Sequence, residues 1–169
     1  MVRGRTVALI NLDGAAAAAG HGAIVLSTSG DGGQTWHSHT VLQRNQPIIL
    51  ASIATGRDGS LGLVWDEIDT SAVNCASSTI PSRTRFAGSR DAGASWAKAV
   101  TVGAPWWNLA SGARGTGGFS GYFIGDYQSL AAIPAGFTTA TVQGQLLLNP
   151  QAQPAITGDT GMMVAIIRR

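Results

Sequence analysis

The chain has 169 residues, of which 44% are apolar and 12% charged, with a formal net charge of +2. That length supports one domain with a real core, and the apolar content excludes a disordered chain. The small, scattered charge argues against a nucleic-acid partner, and no apolar run approaches the roughly 18 residues of a membrane-spanning helix.

Taken in chain order, Met1 to Arg5 and the apolar Thr6 to Ile10 have the outline of a secretory leader, but Asn11 and Asp13 interrupt it. Residues 5–12 read instead as a strand, followed by a Gly/Ala connection over 13–22. A second strand covers 22–29 and another 37–43. Between these two lies Ser29-Gly30-Asp31-Gly32-Gly33-Gln34-Thr35-Trp36, and this segment recurs as Ser89-Arg90-Asp91-Ala92-Gly93-Ala94-Ser95-Trp96. An internal repeat sets the architecture before any single motif does. The stretch around the second copy predicts strands at 47–55, 60–66, 83–89 and 97–102, with a turn at 56–59 and a polar loop at 68–82. After a long insertion over 104–127, strands follow at 128–133, 137–142 and 162–167, with a turn at 134–136. The domain reads as all-β, and its twenty-three glycines suit a chain full of turns. It divides into units at 1–44, 45–103 and 104–169. Cys75 is alone, so no intrachain disulfide forms.

The repeat reads as a hairpin corner. Asp accepts bonds from backbone N–H groups just ahead of it, Gly takes positive φ, and Ser or Thr ties its own turn. The Trp that follows is expected to face inward as an anchor, its N–H finding a carbonyl. At Ser29, Asp31, Gly33, Thr35 and Trp36, and again at Ser89, Asp91, Gly93, Ser95 and Trp96, the chain resembles the Asp-box, the bacterial neuraminidase repeat of sialidase-like β-propellers. A third segment, Gly125-Asp126-Tyr127-Gln128-Ser129-Leu130-Ala131, is similar to a Gly-Asp-Tyr-x-Gly-Leu-Ala stretch of secreted proteins with this repeat, with Ser129 in place of the glycine.

The resemblance implies a six-bladed propeller of four-stranded antiparallel blades. In it the box joins the third and fourth strands of a blade, on the rim away from the substrate. About two and a half blades are present, so the resemblance implies the C-terminal part of a longer ring or a truncated reading frame. Blade edges would be left uncovered and open to self-association. It also implies a secreted or cell-surface location, a glycan as partner, no membrane and no cofactor. The box itself is shared with other glycosidases, sorting receptors and assembly factors, so a non-catalytic interaction module remains a rival reading.

Sialidase-like catalysis uses an arginine triad for a carboxylate, a tyrosine nucleophile with a glutamate, and an acid/base aspartate. Glu67 is the only glutamate here, Tyr122 and Tyr127 are the only tyrosines, and no Arg-Ile-Pro segment occurs. The full set cannot be assembled. Asp126, Tyr127 and Glu67 remain as catalytic candidates. Trp106, Trp107, Arg114 and Tyr122, in the aromatic insertion, are candidates for contacting a sugar. For each a plain alternative stands open: the aromatics plug the loop, Asp126 caps a turn, and Glu67 belongs to a solvated corner or pairs with Arg85. His37 and His39 share a strand face, but no third metal ligand is near, so no metal is expected.

Overall fold

The computed structural model describes residues 7–14, 20–74, 78–114, 122–125, 128–147 and 161–168. Its architecture is all-β with antiparallel sheets, none of which closes on itself. The first sheet contains β1 (Val7–Leu12), β2 (Gly22–Ser29) and β3 (His37–Arg44) in that order. The second is built from β4 (Ile48–Thr55), β5 (Leu61–Ile68), β6 (Pro81–Ser89) and β7 (Val100–Asn108). A short pair joins β8 (Ala113–Arg114) to β9 (Tyr122–Phe123). The third sheet has the order β10 (Ser129–Ile133), β11 (Gly136–Gln143), β13 (Gly161–Arg168). The intervening β12 (Gln145–Leu146) crosses back to pair with β7, so the second sheet has five strands rather than the expected four.

The sheets stack face to face, with the second in the middle. Ile24, Ile48, Leu63, Trp65 and Ala87 fill the seam between the first and second sheets. Val64, Phe86, Val102 and Phe137 fill the seam between the second and third. β5 is therefore covered on both faces, which explains why Leu61 to Glu67 are all buried instead of alternating. Gly62 allows the tight approach, because a Cβ there would lie 2.8 Å from the Phe137 ring. β1 and β10 each lie against β4, so the first described strand of each outer sheet meets the first strand of the middle one.

Two expectations need correcting. β7 runs on to Asn108 instead of stopping at 102, so Trp106 and Trp107 belong to a strand, not to the insertion. The cause is a bulge: Ser82 pairs with Trp107 and Thr84 with Val102, leaving Gly103 to Trp106 arched opposite Arg83. Gly103 at φ 75° and Pro105, with no N–H to donate, suit such an irregularity. The second correction concerns Trp36, which is 38% exposed and not a buried anchor. Its counterpart Trp96 packs on the seam between the first two sheets, whereas no described sheet stands beside the first box to cover Trp36.

Candidate functional site

Two ends of the sheet stack carry polar constellations. At one end sit both copies of the box-like repeat, joining β2 to β3 and β6 to β7. In the first, Ser29 Oγ donates to Asp31 at 2.7 Å and accepts from the Gly33 N–H at 2.7 Å. Asp31 also accepts from the Thr35 N–H at 2.9 Å and from its hydroxyl at 2.6 Å, and the Trp36 indole donates to the Gly33 carbonyl. Ser89, Asp91, Gly93, Ser95 and Trp96 repeat each bond. Gly33 and Gly93 have nearly the same φ, 96° and 95°.

The Thr35 and Ser95 hydroxyls, then their backbone N–H groups, hold the two carboxyls well below the usual carboxylate range, Asp91 to about 2. These carboxylates are fully engaged with their own loops, so their part is to shape the corner. The boxes differ in packing. His39 of β3 bonds the Gly93 carbonyl across the seam, and Gly93 sits so close to Leu26 that a Cβ would overlap it.

The opposite end begins with Glu67, buried at the end of β5. Arg83, its direct cross-strand partner, forms an ion pair with it, and Arg85 and Arg44 stand at 3.8 and 3.9 Å. The Trp65 indole donates to the same carboxylate at 3.3 Å. Arg85 is further held by the Thr101 hydroxyl and the Ala99 carbonyl. Burial lowers its pKa, an effect opposed by the attraction of Glu67. Glu67 therefore works as a hub tying β3, β5 and β6 together, and it is not poised as a free base. The expected pairing with Arg85 is present as one of three. The β7 bulge brings Trp106 onto the outer side of this cluster, its ring 4.6 Å from the Arg83 guanidinium carbon. Guanidinium and indole thus form a half-buried platform at the rim.

On the other face of β5 lies Asp66, fully buried in the seam with the third sheet. The Gln128 amide donates to it at 3.4 Å and to Thr141 Oγ1 at 3.1 Å, while Gln143 donates to Thr84 Oγ1 at 3.0 Å. Asp66 Oδ2 and Gln128 Oε1 have no partner. Both are acceptors, and a buried carboxyl left without donors on one oxygen favours its protonated form. Burial, only partly offset by bonds from Thr84 and Gln128, pushes the Asp66 carboxyl up to about 7. A carboxyl with that pKa suits proton transfer near neutrality, but with no exposed surface it has no path to a substrate. In the sequence Asp66 is one of three acids in Trp65-Asp66-Glu67-Ile68-Asp69, and nothing local separates it from Glu67. The one signal in the strand itself is the apolar run Leu61 to Trp65 directly before the Asp, which places it at the end of a covered strand.

The remaining candidates separate. Trp107 is fully buried among Leu109, Ile124 and Ile68, so its ring packs the core and is not offered to a sugar. Tyr122 is half-buried in β9. Arg114 lies in β8, but its side chain, like Asp126 and Tyr127, falls outside the described residues. No group of three metal-ligating side chains occurs among the described residues. No family model and no curated protein sequence matches the chain.

Proposed function

We propose that the chain is a segment of a sialidase-like Asp-box β-propeller, with a parent protein that recognises a glycan. The observation that carries this reading is the bond-for-bond repetition of the two boxes at the same corner of successive sheets that pack face to face. The Arg83–Trp106 platform lies at the rim away from the boxes, the side to which the resemblance assigns the substrate. Recognition fits the described residues better than hydrolysis, because Glu67 is committed to three arginines and Asp66 is sealed from solvent. The test is to incubate the 169-residue chain with a fluorogenic sialoside and, separately, to screen it against a glycan panel. The expected result is no turnover, with binding that weakens in Trp106→Ala. Release of sialic acid overturns the non-hydrolytic part, and no glycan binding at all overturns the rest.

A second reading, a protein-interaction module, is favoured by the outer face of β13. There Met162, Val164 and Ile166 are more than half exposed on alternate positions, opposite the inward Met163, Ala165 and Ile167. Concentration-dependent self-association in sedimentation, abolished by Val164→Lys, would support it.

A further inference from the structure

A groove of about 460 Å³ opens at the Asp-box end of the seam between the second and third sheets, away from the rim discussed above. Leu61, Phe86, Val100, Phe137 and Ile167 give it an apolar lining, and Val100 is half exposed within it. Three cations stand around it, Arg90 from the second box, Lys98 just before β7 and Arg168 at the end of β13. Among the described residues none of the three makes an ion pair, and no Asp or Glu lines the groove. The Asp91 carboxylate, next to Arg90, keeps its charge but is turned to Ser89 and Ser95, so it offsets only part of the three cations. An apolar trough of ligand-sized volume whose rim carries three cations against one carboxylate, Asp91, already turned to its own loop, is a specific chemical demand. Apolar surface alone would accept many occupants; the three cations select among them by sign.

We propose that this groove binds a small amphipathic anion, an aliphatic or aromatic body in the trough with a single carboxylate or sulfonate head among Arg90, Lys98 and Arg168. The body replaces water over Phe86, Phe137 and Ile167, while the head forms charge-assisted hydrogen bonds at the rim. The site is independent of glycan recognition, because it shares no residue with the Arg83–Trp106 platform.

The test uses the whole chain and the fluorescent anion 8-anilinonaphthalene-1-sulfonate, with neutral N-phenyl-1-naphthylamine as the uncharged counterpart. Saturable one-to-one binding of the anion is expected, with displacement by dodecanoate if the trough takes an aliphatic body or by 2-naphthoate if it takes an aromatic one. Arg90→Glu with Lys98→Glu should weaken the anion by more than about tenfold, since even one lost charge-assisted contact is worth about that much, and leave the neutral probe unchanged. Both positions are exposed, so the fold should survive. Should it fail, raising salt to about 0.5 M on the unmodified chain tests the same point by screening. Val164→Lys, on the outer face of β13, should have no effect. The proposal is overturned if anion and neutral probe bind alike, if neither competitor displaces the probe, or if charge reversal changes nothing. It is also overturned if Lys98→Glu instead breaks up a dimer, which would make a second copy the occupant.

Discussion

Asp66 offers the sharpest quantitative expectation. Its carboxyl has an ordinary pKa of 3.8 in the unfolded chain and about 7 in the folded one, because burial penalises the charged form. The folded state therefore holds a proton that the unfolded state has released, and stability falls as pH rises between those two values. A difference of about 3 units, at 1.36 kcal/mol each, amounts to about 4 kcal/mol. That contribution is fully present below about pH 4, is lost progressively up to about pH 7, and stays lost above it. Asp66→Asn mimics the protonated acid, its amide nitrogen supplying a donor where Oδ2 and Gln128 Oε1 now have none. Urea unfolding followed from pH 4 to 8 should give a declining midpoint for the unmodified chain. The variant should give a flatter profile and be the more stable of the two at pH 8. Parallel profiles with the same slope would refute the reasoning, since they would mean that Asp66 is ionised and solvated in the folded state.

Other perturbations address the box corners and the arginine hub. Glu67→Gln should destabilise the fold by about 2–4 kcal/mol at neutral pH, below the full cost of breaking a buried pair, because Arg44 and Arg83 are exposed enough to turn to water. A chemical melt checks it, and an unchanged midpoint would return Glu67 to the list of free acids. Gly93→Ala combines strain at φ 95° with an overlap on Leu26, so it should cost more than Gly33→Ala, which has the same φ but only a 3.6 Å approach to Trp36. Comparing the two thermal shifts isolates the packing component. Trp107→Ala should cost about 3–5 kcal/mol, and Trp36→Ala clearly less, since its ring is partly in water already. Acidification should loosen both box corners, because lowered carboxyl pKa values give stability that is present above about pH 4 and lost as pH falls through about 2 for Asp91. Hydrogen exchange of the Thr35 and Ser95 amides would report it.

Much of the strand pattern was legible in the sequence because local chemistry controls it. The turn residues of the repeat demand a corner wherever they stand, so β2, β6 and the start of β3 fell close to where they were expected. The apolar run Leu61 to Trp65 likewise declared a strand, although its cover on both faces came only with the neighbouring sheets. What the sequence could not carry was the outcome of contacts between residues far apart in the chain. The two box tryptophans hold the same position in the repeat, yet Trp96 lies over a seam and Trp36 is partly exposed, because only one has a described neighbouring sheet.

Trp106 and Trp107 looked like one exposed pair. The register across the β7 bulge turned one onto Arg83 and buried the other. Glu67 and Asp66 are adjacent in sequence, but strand alternation sends one carboxyl to three arginines and the other into a seam with no charge to meet it. The sequence by itself determined the corners, the strands and the residues able to ionise. Tertiary packing alone decided which of them keep water, because burial depends on the sheet that arrives from elsewhere in the chain, and solvent access governs both charge and chemistry.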